Sequence, residues 1–141
     1  MAEYGFERSP TASPEVLAQR TALAEEACRS LTLAGFPVHR SGLGGGAEDM
    51  PGVEVHVESV ADGGVLVEWK TGEELTTTAV TLLEAGVDPS HPPCVLRHYS
   101  TVHACMREAL LRILASAGFD AEEADPHSYG DAVVVNSFRR P

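Results

Sequence analysis

The chain has 141 residues and an apolar content of 43%, enough for a single domain that buries roughly two-thirds of its unfolded surface. Ten Arg and Lys stand against twenty-one Asp and Glu, a formal net charge of −11; such a surface repels phosphate backbones and anionic lipid, which argues against nucleic-acid and membrane partners. Three cysteines, Cys28, Cys94 and Cys105, form an odd and widely spaced set that suits a reducing cytoplasm better than a disulfide framework.

No apolar run with a positive flank opens the sequence, and no apolar stretch approaches the roughly 20 residues that span a bilayer. Neither a signal peptide nor a transmembrane segment is therefore expected, and the expected location is cytoplasmic. Residues 1–12 have little periodic apolar content and carry Pro10. They read as a flexible N-terminal arm, although Tyr4 and Phe6 could dock in a groove. A single domain is expected over 13–138, with 139–141 as a short tail.

Ser13-Pro14-Glu15 opens the first helix, with Ser13 as N-cap, Pro14 at the first helical position and Glu15 near the positive helix end. Val16, Leu17, Ala24, Ala27, Cys28 and Leu31 form its apolar stripe. Gly35 and Pro37 end it. A short strand is expected at Pro37–Arg40, followed by the glycine-rich loop 41–52. Val53–Glu58 alternates apolar and polar residues strictly, the mark of a half-buried antiparallel strand. Val65, Val67 and Trp69 continue the apolar set in a second strand, and Ala61-Asp62-Gly63-Gly64 has hairpin-turn chemistry. Pairing Val57 with Val67 and Val55 with Trp69 keeps one face apolar and sets Glu54 beside Lys70.

Thr71-Gly72-Glu73-Glu74 matches a capping box, and Leu75, Ala79, Leu82 and Leu83 then follow at helical steps. The β-branched Thr76, Thr77, Thr78, Val80 and Thr81 pull the same segment toward strand. Val87–Leu96, with three prolines, reads as a linker. Tyr99–Phe119 is the central helix: Val102, Met106, Ala109, Leu110, Ile113, Leu114 and Ala117 make one stripe, Ser100 caps its start and Gly118 ends it. The strings ending the two long helices, Leu31–Phe36 and Leu114–Phe119, share four of six residues, and each feeds a short strand, a loop and a second strand. In the second half these strands are Asp120–Ala124 and Ala132–Val135. The latter has no polar guard, so it must lie inside the sheet or be buried in a homodimer.

Several groups could carry chemistry. Gly42-Leu43-Gly44-Gly45-Gly46 resembles a phosphate-cradling loop, but no Lys, Ser or Thr follows in a helix and Glu48 and Asp49 would repel the anion. Cys94, His98, His103 and Cys105 are the densest set of metal-ligand and nucleophile types. His98 and His103 stand about 140° apart around a helix and diverge, so no metal site or cofactor is expected. Asp120, Glu122, Glu123 and Asp125 lack the ligand spacing of a calcium loop. A cysteine nucleophile with a histidine base can still meet in space. The candidate ligand-binding residues are therefore Trp69, His103 and Cys105, in a pocket between helices and sheet.

These elements define a two-layer α+β domain: an antiparallel sheet of about five strands with helices on one face, in the order α-β-β-β-α-α-β-β. Apart from the helical insert, the order α-β-β-β-α-β-β resembles the topology of small secretion-chaperone-like proteins. That likeness is one of element order and transfers no site or partner. Two functions fit. The first is a non-enzymatic adaptor or chaperone-like module that docks a protein partner, or a second copy of itself, through a sheet face or edge. The second is a small-molecule binding protein or enzyme using the pocket near Trp69.

Overall fold

Ser13 and Pro14 start the first helix as their chemistry dictates: the Ser13 hydroxyl accepts from Val16 N–H at 3.2 Å, and Pro14 occupies the first turn. The computed structural model describes residues 10–41, 50–61 and 63–139. Tyr4, Phe6 and the Gly42–Gly46 loop lie outside these residues. In chain order the elements are α1 (Pro14–Leu33), β1 (Val38–Ser41), β2 (Gly52–Val57), β3 (Val65–Lys70), α2 (Glu73–Ala85), α3 (Cys94–Ser116), β4 (Phe119–Glu123), α4 (Pro126–Tyr129) and β5 (Val133–Phe138).

The five strands form one open sheet in the order β1-β2-β3-β5-β4. The expected α+β architecture holds, with one refinement. Three strand pairs are antiparallel, but β1 runs parallel to β2, so the sheet is mixed. A parallel neighbour needs a crossover rather than a tight turn, and ten residues separate Ser41 from Gly52. β5 lies between β3 and β4. Val133–Val135 is thus internal, which satisfies its apolar side chains without a second subunit.

Alternation decides where the helices go. Val53 and Val55 of β2, Val65 and Val67 of β3, and Val133 and Val135 of β5 are fully or almost fully buried on one face. Ala24, Ala27 and Leu31 of α1 and Leu110 and Leu114 of α3 close over them in a single cluster, with Phe119. Both long helices therefore share that face, as expected. Leu23, Ile113, Val57 and Trp69 pack at its border, whereas Met106 is half-buried and stands outside it. α2 packs on α3, with only Ala79 buried.

Four local expectations are corrected. The β2–β3 hairpin closes two residues tighter: Val57 faces Val65, Val55 faces Val67 and Val53 faces Trp69. Glu58 N–H donates to Gly64 O, so the ladder runs further toward the turn than the turn residues suggest. The capping box does not form. The N-cap of α2 is Gly72 and makes no side-chain cap, because the Thr71 hydroxyl is turned to His103 instead. α3 begins at Cys94 rather than near Ser100, its N-cap being Pro93; the prolines that mark a linker also suit the entry to a helix. Finally, the arm is held at residues 10–12. Ala12 is buried, its N–H donates to Ser59 O at 2.8 Å, and Ala61 N–H donates to Pro10 O.

Arg20 secures that corner. Its guanidinium donates to the carbonyls of Glu58, Val60 and Ala61 at 2.7, 2.7 and 2.9 Å, tying α1 to the hairpin turn. Hydrogen bonds to a charged group contribute about 1.5–3 kcal/mol.

Leu110, 1% exposed, fills the centre of the helix–sheet interface. Leu110→Ala is expected to cost about 2–5 kcal/mol through lost burial and the cavity left behind. Urea unfolding at neutral pH checks this, with an unchanged midpoint contradicting the placement.

Candidate functional site

Two surfaces concentrate polar chemistry. The first is a cleft of about 380 Å³ where β3 runs into α2, lined by Trp69, Thr71, Glu73, Tyr99 and His103 among others. It exists because β5 pairs with β3 only over Val65–Val67. The Glu68–Lys70 end of β3 then has β2 on one side and the cleft on the other.

Three separate elements meet at His103. From the β3–α2 junction, Thr71 Oγ1 lies 2.9 Å from His103 Nε2. From the turn before β5, Asp131 Oδ2 lies 3.7 Å from His103 Nδ1, and the other carboxylate oxygen accepts from Arg107 Nη1 at 3.1 Å. One helical turn before His103, the Tyr99 ring packs against the imidazole at 4.4 Å between centroids. The His103 side chain is only 16% exposed, so this geometry is held by packing as well as by polar contacts.

Trp69 and His103 therefore line one cleft, and the third expected residue does not join them. Cys105 is exposed on the outer face of α3, in a shallow groove with Ala104, Glu108, Ala109 and Arg112. Two positions apart on a helix, His103 and Cys105 project about 200° from each other, which explains the separation. The Trp69 ring meets Phe36 edge-on, and its buried indole N–H has no acceptor among the described residues. His98 and Cys94 are exposed at the start of α3. Among the described residues no three His, Cys, Asp or Glu side chains gather as a metal site.

The second surface is the sheet face opposite α1 and α3. A row runs straight across it, from His56 through Leu66 and Val134 to Glu122. Leu66, Ala124 and Ala132 form a small buried apolar cluster there, with Tyr129 of α4 and Val134, both half-buried, packed against it. Beside it, Glu54, His56, Glu58, Leu66 and Glu68 line a trough of about 440 Å³ together with Tyr129 and Ala132. Glu54 and Glu68 stand opposite one another, and Lys70 bridges them at 3.4 and 3.8 Å. His56 lies 3.6 Å from Glu58, and Asn136 donates to Glu122 at 3.1 Å.

Strict alternation in β2 and β3 made this acidic row visible in the sequence. Thr71 was hidden behind its match to a capping box, and nothing near Asp131 marks it as a partner of His103.

Comparison of the chain with protein-family models, with curated proteins and with solved structures returned no match. The geometry of these two surfaces therefore carries the functional argument.

Among the described residues, two titratable groups are displaced. At Lys70, desolvation lowers the pKa while Glu68 and Glu54 raise it, and the net direction is upward. Such a lysine adds stability that is complete below the unfolded value of about 10.4 and is lost as pH rises through the folded value. Lys70→Met leaves Glu54 and Glu68 facing each other unbridged and should lower stability by about 1 kcal/mol or less at neutral pH. The gap to wild type should close above about pH 10.4, as urea unfolding across the alkaline range would show. At Cys28, burial pushes the thiol up, Glu25 adds to this and Arg40 opposes it. Iodoacetamide should therefore alkylate the exposed Cys94 and Cys105 first and Cys28 most slowly, which peptide mass mapping over time would check.

Proposed function

We propose that this chain is an adaptor-like module that docks a basic, partly apolar segment of a protein partner on the sheet face opposite α1 and α3. The observation that carries this reading is the sheet face on which the half-buried Val134 and Tyr129 stand beside the carboxylates of Glu54, Glu58, Glu68 and Glu122. Among the described residues Lys70 pairs with Glu54 and Glu68, and His56 lies beside Glu58, so the carboxylates outnumber the lysine on this face. The whole chain carries a net charge of −11. Apolar contact then supplies affinity, and the carboxylates select for Lys or Arg and steer the encounter.

A second copy fits this face poorly, because two such acidic surfaces repel and β5 needs no partner to bury its valines. The three cysteines are free, in keeping with action in a reducing cytoplasm. Among the described residues, no helix is long and apolar enough to cross a membrane.

A twelve-residue alternating Lys/Leu peptide should produce NMR shifts concentrated at Glu54, His56, Leu66, Glu68 and Val134. Its binding should weaken with salt as screening shortens the electrostatic reach. Charge reversal by Glu58→Lys with Glu68→Lys should weaken it at least tenfold, about 1.4 kcal/mol. Shifts scattered over the helices, or equal binding of a Glu/Leu peptide, would overturn the reading.

A further inference from the structure

The cleft beside α2 carries a chemistry that docking does not use. Thr71, His103 and Asp131 arrive from three different elements and stand in sequence: hydroxyl, imidazole Nε2, imidazole Nδ1, carboxylate. We propose that they form a relay that makes the Thr71 hydroxyl a nucleophile toward small neutral esters and related electrophiles. This site shares only Glu68 with the trough on the opposite sheet face, and its test uses none of the residues changed in the docking test, so either reading stands if the other fails.

The tautomer follows from the surroundings. Asp131 Oδ2 stands 3.7 Å from Nδ1, beyond a hydrogen bond, but its negative charge on that side of the ring favours the proton on Nδ1. In that tautomer Nε2 is the acceptor, and the Thr71 hydroxyl, 2.9 Å away, is the donor. That is hydrogen-bond reach for a general base on its nucleophile. Arg107 binds the other oxygen of Asp131, which holds the carboxylate in its orientation, as a third group orients the base in acyl-transfer sites on unrelated folds. Asp131 is here a positioning residue; Thr71 and His103 are the catalytic ones.

The cleft also defines the substrate class. Trp69 and Tyr99 supply aromatic wall, and about 380 Å³ accommodates a small molecule. Glu68, Lys70 and Glu73 line the same space; Lys70 is paired with Glu68, which leaves the Glu73 carboxylate to disfavour an anionic substrate, hence the neutral ester. Thr71 immediately precedes Gly72, the N-cap of α2, where no side chain caps the helix. The positive end of α2 therefore lies beside Thr71.

In the reaction, Thr71 Oγ bonds to the acyl carbon as His103 Nε2 takes its proton. The ester C–O bond breaks, and the alcohol leaves with that proton. Water, deprotonated by His103, then attacks the acyl-threonine, releases the carboxylic acid and returns the proton to Thr71. No oxidant, reductant or metal is needed for this balance.

A fluorophosphonate tests the first half directly: a P–O bond forms at Thr71, the P–F bond breaks, fluoride leaves, and His103 takes the proton. Incubation of the full chain should give an adduct that peptide mass mapping places on Thr71. Thr71→Val should abolish it, Thr71→Ser should keep it, and His103→Gln, which can still hydrogen-bond, should slow it by about a hundredfold or more. The ¹⁵N spectrum of His103 should show the Nδ1–H tautomer in the wild type and lose it in Asp131→Asn. Absence of the adduct from Thr71, an unchanged rate in His103→Gln, or a wild-type spectrum showing the Nε2–H tautomer would overturn the proposal.

Discussion

The valine rows of β2, β3 and β5 must all be kept from water on the same side of the sheet, and the rest of the molecule follows from that constraint. Val53, Val55, Val65, Val67, Val133 and Val135 point one way, so α1 and α3 have to lie together over them. Burying a side chain of this kind contributes about 1.5–3 kcal/mol, and six in one layer outweigh any local preference. Because a strand alternates, the same residues dictate what faces outward: Glu54, His56, Glu58, Glu68 and Lys70. The acidic face is thus the obligatory reverse of the core.

The cleft arises from a second, smaller mismatch. β5 follows β3 for only three residue pairs before the chain turns away through Asp131. α3 is long enough to pass beside the part of β3 left uncovered, bringing Tyr99 and His103 against Trp69 and Thr71. The turn that ends the pairing supplies Asp131 to His103, and so the interruption of the sheet assembles the side-chain constellation. Structure and site share a cause here, which is how a few polar groups can be held in register without a dedicated binding motif.

Periodicity carried most of the architecture. Alternation in Val53–Glu58 and Val65–Lys70 disclosed both strands and their inner face, and three- and four-residue spacing disclosed the long helices. What stayed hidden depends on contacts between distant residues. The parallel entry of β1 has no local signature, since Val38–Ser41 would read the same in either direction. The hairpin register slipped by two because the turn is held from outside, by Arg20 and by Pro10–Ala12, and not by its own residues alone. Thr71 illustrates the reverse error. Its spacing to Glu74 satisfies a local rule, yet a histidine 32 residues away claims the hydroxyl. At the site, alternation exposed the carboxylates of the open face. Trp69 and His103 were legible as cleft residues, Cys105 was misplaced, and Asp131 left no trace.

The two glycines that end the long helices, Gly35 and Gly118, sit in similar strings and adopt nearly the same backbone angle, φ of 106° and 103°. Their surroundings differ. A Cβ at Gly35 would meet nothing within 4 Å, whereas one at Gly118 would collide with the carbonyl of Arg139. Arg139 also donates its N–H to Gly118 O at 2.8 Å, so the chain beyond β5 is strapped across the end of α3. Mutational drift should therefore treat the two positions unequally. An asparagine at Gly35 would bear the strain of a positive φ but meet no neighbour, while any side chain at Gly118 would also pry the end of the sheet from the helix. Repetition in the letters conceals an asymmetry in what each position tolerates.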